Sequence, residues 1–155
     1  MRTKFLLGLV LFALFSLHPI LSAEITTSKA DIENLFNQWN ASLQTGSPEK
    51  VVDNYANDAI LIPTVSNKVR HNHEEIEDYF EHFLLKKPVG TIDEEHIRIF
   101  GDIAINSGLY TFDIVADGEH EKVKARYTFV YHKIDGKWLI VEHHSSVLPE
   151  KSDLH

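Results

Sequence analysis

The segment "DGKWLIVEHHSS", Asp135 to Ser146, ends in two histidines and two serines. Adjacent histidines suggest a metal site, and a histidine close to a serine suggests nucleophilic catalysis. Successive side chains of a strand point to opposite faces, so His143 and His144 cannot easily share one metal ion. His144 and Ser146 would share a face, but roughly 6–7 Å of strand separates them, which is long for a nucleophile–base hydrogen bond.

Neither serine lies in a G-x-S-x-G turn, so a serine hydrolase is not favoured. We interpret the segment as a strand whose polar end borders a cavity, with His144 as a pocket residue. The alternative is a histidine that forms a hydrogen bond at the sheet edge or at a subunit interface. Neutral imidazole suits both roles, because it can donate and accept.

Arg126 lies in "VKARYTFVY", with Thr128 on the same expected strand face. An arginine among apolar and aromatic residues needs a partner, because a buried unpaired charge is costly. Glu142 on the neighbouring strand is one such partner and a ligand carboxylate is the other, and both stay open. Trp39 and Tyr55 lie on apolar helical faces and are expected in the core, and we keep both as candidate lining residues. The expected ligand-binding set is therefore Arg126, His144, Trp39, Tyr55 and Thr128.

The sequence "RHNHEE" places His71 and His73 in a loop beside two glutamates. An H-x-H pair with carboxylates nearby can bind zinc, but a third ligand at a definite spacing is missing. His96 or His120 would have to be supplied by folding. A solvated loop is the favoured interpretation, and we predict no metal site and no other cofactor.

The first 23 residues are typical of a secretory signal peptide: a basic start, "MRTK", an apolar run, and "LSA". We expect cleavage after Ala23 and a single domain over residues 24–155, in the periplasm or secreted. An uncleaved membrane anchor is the alternative. The chain has no cysteine and a net charge of −8. An acidic surface repels phosphate backbones, so nucleic acid is not an expected partner, and after cleavage neither is a membrane.

Helical signals dominate the first half of the chain. Apolar spacing and capping residues predict helices over 28–46 and 47–56, and a third helix capped by Asn72 that ends before Pro88. A short strand over 58–65 precedes the third helix.

Strand signals dominate the second half, where "GD", "DGEHE" and "IDG" separate four apolar runs in a way typical of antiparallel hairpins. Helices first and strands afterwards predict an α+β domain, with three N-terminal helices packed on one face of a curved antiparallel sheet. The four predicted strands cover residues 90–100, 102–116, 122–133 and 137–148.

The segments "LFNQWNASLQTGSPEKVVDNYANDAILIPT" and "YTFVYHKIDGKWLIVEHHSS" resemble the nuclear transport factor 2-like (SnoaL-like) superfamily. Its cone-shaped fold is shared by ketosteroid isomerase and polyketide cyclases. Within it, the chain is similar to the association domain of calcium/calmodulin-dependent protein kinase II, which has a comparable "DGKW" and a counterpart of "HIRIFG". The resemblance spans nearly all of residues 30–150.

This resemblance implies the cone-shaped fold and a homo-oligomer, a dimer or a larger ring. It also implies a small-molecule pocket, which in the association domain is lined by arginine. Thr111 and Phe129 occupy strand positions that match two of those arginines, and Arg126 could supply the missing charge. No kinase activity is expected, because the chain contains neither a glycine-rich loop nor a catalytic Asp loop.

Two functions follow as hypotheses. The favoured one is a non-catalytic binding and assembly module, for which we expect an exposed aromatic strand face formed by Tyr127, Phe129 and Tyr131. The alternative is a small isomerase, dehydratase or cyclase that uses His144 or Glu142 as general base and Arg126 as electrostatic anchor. A metal carrier rests only on the nine histidines that would remain after cleavage at Ala23 and is the weakest hypothesis.

Overall fold

Residues 26–148 are described by the structure, a computed structural model of the 155-residue chain. The predicted signal peptide, residues 1–23, lies outside this range. Within it, no helix is long and apolar enough to cross a membrane.

The three predicted helices are present, and a hydroxyl or amide side chain caps each of them. Ser28, Ser47 and Asn72 each accept a hydrogen bond from the backbone amide three residues later, which satisfies one of the free donors of the first turn. The helices are α1 (Lys29–Leu43), α2 (Pro48–Val52) and α3 (His73–Phe83), and a 3₁₀ turn, Leu84–Lys86, follows α3.

Five strands form one sheet in the order β1-β5-β4-β3-β2. Strand β1 is parallel to β5, and all other neighbours are antiparallel. Asp-Gly pairs with positive φ at both residues form the β3–β4 and β4–β5 turns, as tight hairpins require. The strands are β1 (Tyr55–Ile62), β2 (Val89–Phe100), β3 (Ile103–Ala116), β4 (Glu119–Ile134) and β5 (Lys137–Val147).

The second predicted helix was too long. It ends at Val52, and Tyr55, expected on a helical face, is the first residue of β1. Tyr55 pairs with Ile140 of β5. This pairing with a strand more than 80 residues away outweighs the local helical pattern.

The helices cover one face of the sheet, which we call the inner face, and leave the other, outer face uncovered by described residues. Ile32, Phe36, Trp39 and Leu43 recur along α1 and are all buried. Trp39 contacts the sheet directly, with its ring centroid 5.2 Å from that of Phe129 on β4. The predicted α+β architecture with helices on one face is confirmed.

Two β-bulges interrupt the antiparallel ladders, one between Ile92 and Glu94 on β2 and one opposite the Val130–Tyr131 step of β4, and the parallel β1–β5 ladder has a register shift between Tyr55 and Ile60. Bulges increase local twist and bend the bulged strand, so they contribute to the curvature that lets the helices fit against the sheet. Gly108 lies across from the first bulge, where the Glu94 backbone comes so close that a Cβ would be 1.9 Å from the Glu94 carbonyl oxygen.

Gly108→Ala is therefore expected to destabilise the domain by more than about 3 kcal/mol, because backbone and not a flexible side chain would have to move. Gly118→Ala is the control, since its Cβ meets open space and only the positive φ is unfavourable, at about 1 kcal/mol. Urea unfolding of both variants measures the difference. Equal losses would show that the close approach at Gly108 does not constrain the sheet.

Candidate functional site

The bulge on β5 decides which side chains of the closing strand reach the interior. Val130 pairs with Glu142 while Tyr131 pairs with Ile140, so Val141 is an extra residue. One inserted residue reverses the facing of everything beyond it. Ile140 and His143 are consequently both buried on the inner face.

His143 is the last member of a buried hydrogen-bond chain. The indole Nε1 of Trp39 donates to the hydroxyl of Tyr55 over 3.0 Å, and that hydroxyl lies 2.9 Å from Nδ1 of His143. The imidazole also stacks on Phe129, with ring centroids 4.0 Å apart. Helix α1, strand β1 and strand β5 are therefore joined by one polar contact chain inside an aromatic core.

This chain determines the tautomer of His143. Because Trp39 is a donor only, the hydroxyl of Tyr55 accepts from it and has one proton left to donate. The acceptor for that proton is Nδ1 of His143, so the remaining hydrogen of the imidazole is on Nε2. Nε2 has no hydrogen-bond partner among residues 26–148. Burial lowers the pKa of His143 to about 3, so the ring is neutral at physiological pH.

Three hydroxyl groups lie further along the inner face. Ser145 is two residues after His143 and contacts the hydroxyl of Thr64, and Tyr110 donates a hydrogen bond of 2.5 Å to Ser145. Burial raises the pKa of Tyr110, which therefore keeps its proton. These groups form a neutral polar patch beside the imidazole.

The imidazole and the hydroxyl groups line a small cavity between α3 and the sheet. Its volume is about 30 Å³, comparable to the space of one water molecule, so a larger ligand requires the walls to move. No aspartate or glutamate is among the side chains that line it. Most of the wall is apolar, and six of its fifteen residues are aromatic: Trp39, Tyr79, Phe80, Phe83, Tyr110 and Phe112.

A surface groove continues from the cavity and shares Tyr79 and Phe83 with it. The groove has a volume of about 560 Å³ and is also lined by Arg70, His82 and Lys86. We call it the Arg70 groove. Positive charge is therefore available at the cavity mouth, whereas the cavity itself holds neutral groups.

Two residues of the predicted site are at or next to the cavity. Trp39 lines it, and Tyr55 lies behind His143 and holds its imidazole. Both are also core residues, with 1% and 2% of their surface exposed. Burial raises the pKa of Tyr55 well above its usual value, so it stays protonated and can donate to His143.

The other predicted site residues are on the outer face. Arg126, Glu142 and His144 are exposed and Thr128 is half-buried, and none of the four lines the cavity. Strict alternation from the apolar Ile140 would turn Glu142 and His144 inward, and the bulge at Val141 reverses this. That they take part in ligand binding or catalysis stays a prediction. Any ligand that they contact would have to bind on the outer face.

The expected exposed aromatic face of β4 was wrong. Tyr127, Phe129 and Tyr131 have at most 2% of their surface exposed, because they point inward and α1 covers them. Thr111 and Phe129, at the positions of two family arginines, carry no charge. Sequence reasoning missed His143, Ser145, Thr64 and Arg70. The orientation of His143 and Ser145 could have been found from β4. Its aromatic residues Tyr127 and Phe129 mark the inner face. They pair with Ser145 and His143, which therefore lie on the same face.

The histidine pair of the α3 loop does not converge on a metal site. His71 contacts Glu75 through Nδ1 over 3.0 Å, while Nε2 of His73 contacts the carbonyl oxygen of Tyr55. Over residues 26–148, no group of three histidine or carboxylate side chains is arranged to hold a metal ion.

The geometry of the cavity suits recognition better than proton transfer. An unpartnered buried donor such as Nε2–H is unfavourable by about 1–3 kcal/mol, and a ligand acceptor would recover that energy. Nδ1, the basic nitrogen, is occupied by Tyr55. The cavity therefore combines a lining imidazole that has one unpartnered nitrogen, several hydroxyl groups and a mainly apolar wall.

His143 should make stability depend on pH. Its pKa is about 3 in the folded chain and about 6.5 when unfolded, so between these values only the unfolded state takes up the proton. Stability from this group is complete above pH 6.5 and falls as the pH decreases. His143→Asn keeps an acceptor for Tyr55, and we expect its loss of unfolding free energy between pH 7 and 4.5 to be about 2 kcal/mol smaller than in the wild type.

Urea unfolding at the two pH values measures this effect. The exposed His144→Asn is the matched control and should retain most of the wild-type pH dependence. Identical pH dependence in His143→Asn and the wild type would refute a buried neutral imidazole.

Comparison with known proteins agrees with this architecture. The chain is similar to a 1.70 Å crystal structure, from Xanthomonas campestris, of a protein assigned to the calcium/calmodulin-dependent protein kinase II association domain. The two share 51% identity and a TM-score of 0.77, over 83% of this chain and 94% of the other. No curated protein is similar enough to count as a relative.

Two more distant structures show the fold alone. A nuclear transport factor 2-like protein from Salmonella enterica has 18% identity and a TM-score of 0.69, over 81% of this chain and 94% of the other. A nuclear transport factor 2-like protein with a cystatin-like fold from Novosphingobium aromaticivorans has 12% identity and a TM-score of 0.67, over 80% and 83% of the two chains. The calcium/calmodulin-dependent protein kinase II association domain family matches residues 28–149. The chain therefore belongs to that family and has the nuclear transport factor 2-like fold.

Proposed function

We propose that this protein is a non-catalytic binding and assembly module. It takes up a small aromatic or apolar molecule bearing a hydrogen-bond acceptor and associates with copies of itself. The observation that carries the binding half is that His143, whose Nε2 has no partner among residues 26–148, is one of the residues that line a mainly apolar cavity. Pockets of this composition, with few polar groups in a mainly apolar wall, are typical of small-molecule sites.

The alternative enzyme has less support. Isomerase and cyclase chemistry needs a base aimed at the substrate, whereas Nδ1 of His143 faces Tyr55 and no carboxylate lines the cavity. Glu142 and His144, the candidate bases, are exposed on the opposite side of the sheet.

The outer face supports the assembly half. It carries half-buried aliphatic side chains, among them Ile105, Leu109 and Val130, next to charges of both signs, Arg126 and Glu142. A two-fold interface places the same surface on both subunits, so a face with both signs of charge can be complementary to itself. Membership of an association-domain family favours the same conclusion.

We include export in the proposal, on the signal-peptide pattern of residues 1–23. Native mass spectrometry of the protein purified from the periplasm or the medium reports the subunit number, any retained small molecule and whether the chain starts at Glu24. A monomer with residue 1 still attached would contradict both assembly and export.

Binding in the cavity can be tested with acetophenone, which combines an aromatic ring with a carbonyl acceptor. We expect calorimetric titration to show binding to the wild type. Ala125→Leu, which fills the cavity, should weaken it at least about tenfold, and so should His143→Leu, which has no hydrogen-bond donor in its side chain. Ala30→Leu on the exposed side of α1 is the control for added bulk. Equal affinity for all four proteins would place the compound elsewhere and refute the proposed site.

Assembly through the outer face predicts that Val130→Lys dissociates the oligomer, because it puts like charges into both halves of a two-fold interface. Glu81→Lys, on the exposed side of α3, adds the same side chain away from that face and should leave the oligomer intact. Sedimentation velocity gives the mass, and circular dichroism shows whether each variant is folded. A folded Val130→Lys with unchanged mass would exclude this face as the interface.

A further inference from the structure

A second groove lies on the inner face of the sheet, at the other end of β4 and β5 from the cavity beside His143. It is enclosed by α1, by α2 with the two residues that follow it, and by the β4–β5 hairpin. It shares no lining residue with the cavity or with the Arg70 groove. Its volume is about 240 Å³, roughly eight times the ~30 Å³ that a water molecule occupies in the liquid. We call it the Trp138 groove, and its non-aromatic polar lining is Gln38, Ser42, Lys50, Asp53, Asn54 and Lys137.

Asn54 holds the elements around this groove together. Its backbone carbonyl accepts a hydrogen bond of 2.8 Å from the amide of Ile140. Its side-chain Nδ2 donates to the hydroxyl of Ser42 over 3.2 Å and to the carbonyl oxygen of Val51 over 2.9 Å. Helix α1, helix α2 and strand β5 are therefore joined at one residue, which gives the groove a defined shape without a ligand.

The rim of the groove mixes hydrogen-bond donors and acceptors. Gln38 is exposed on α1 and carries an amide, which both donates and accepts. The exposed Asp53 adds a carboxylate that has no salt bridge within residues 26–148. The ammonium group of Lys137 donates to the backbone carbonyl of Asp53 over 3.1 Å and has two further hydrogens to donate. Both charge signs are therefore present, and the polar groups can serve a neutral ligand.

Two aromatic residues complete the lining. Trp138 is half-buried, and the ammonium group of Lys133 lies 6.0 Å from the centroid of its ring. Tyr131 is 1% exposed, and its hydroxyl has no partner among the described residues. Burial raises the pKa of Tyr131 well above its usual value, so the hydroxyl keeps its proton. The lining therefore includes hydrogen-bonding capacity that the described part of the chain leaves unused.

We propose that the Trp138 groove binds a single sugar ring or a polyol of similar size. Each hydroxyl group of a sugar donates and accepts, which matches a rim of amide, carboxylate and ammonium groups. The C–H face of a sugar ring is apolar and can pack against an indole such as that of Trp138. A strongly charged ligand fits less well, because Lys137 and Asp53 both line the groove. This site is independent of the cavity beside His143, so it adds a second binding activity to the proposed one.

The probe is methyl α-D-glucopyranoside, titrated by saturation-transfer difference NMR, which detects weak binding to proteins of any oligomeric size. We expect saturation transfer from the wild type. Gln38→Ala should weaken the affinity by at least about fivefold, because it removes an amide that bonds the sugar hydroxyl groups. Asn37→Ala is the matched control, since it removes an exposed amide from the neighbouring position of α1 that does not line the groove.

Trp138→Ala tests the aromatic part of the site and should remove the saturation transfer. Circular dichroism shows whether this variant is folded, because Trp138 also packs against the core. Gln38→Ala changes an exposed side chain, so it keeps the test decisive if Trp138→Ala does not fold.

Ala125→Leu separates this site from the cavity beside His143, which it fills, and should bind the glucoside as the wild type does. Weaker binding in Gln38→Ala, with wild-type affinity in Asn37→Ala and Ala125→Leu, supports the proposal. Absence of saturation transfer from the wild type, or equal affinity in Gln38→Ala and the wild type, overturns it and leaves the function proposed for the cavity in place. Weaker binding in Ala125→Leu alone would place the sugar in the cavity and would also overturn it.

Discussion

The buried hydrogen-bond chain from Trp39 through Tyr55 to His143 is the contact on which the rest of this structure depends. It links the first helix, the first strand and the last strand, which are distant in sequence. Buried polar atoms are unfavourable unless they are paired, so this chain has one satisfactory arrangement, with the last proton on Nε2. The aromatic packing around it, by contrast, would tolerate many exchanges of similar volume.

The same chain explains why one nitrogen of a cavity-lining residue has no hydrogen-bond partner. His143 uses Nδ1 to satisfy Tyr55, and this leaves its Nε2 without a partner among residues 26–148. The charge that accompanies the site is at its mouth, where Arg70 is 7% exposed and is paired with the carbonyl oxygen of Lys68 and, more loosely, with Ser66 and Asp78.

Much of the fold could be predicted from local patterns, whereas the site could not. Caps such as Ser28 and Asn72 and the Asp-Gly turns are short-range signals, and the elements they delimit were predicted correctly. The facing of β5 depends on one extra residue, Val141, whose position is determined by pairing with β4. Local alternation therefore predicted that His144 lines the cavity, whereas in the structure the residue that lines it is His143. Tyr55 belongs to a strand because it pairs with Ile140, which is distant in sequence. Arg70 contacts Leu61 of β1 and Asp78 of α3, and no local sequence pattern predicts these contacts.

The parallel pairing of β1 with β5 also has a kinetic consequence. The strand at the start of the sheet has its neighbour at the very end of the domain, so about 80 residues intervene between Tyr55 and Ile140. Such contacts cannot form on a ribosome until Lys137–Val147 has left the exit tunnel. Until then, β1 and the Tyr55 hydroxyl have neither strand nor imidazole to pair with. We expect folding to be slow for a domain of this size, because this pairing is non-local.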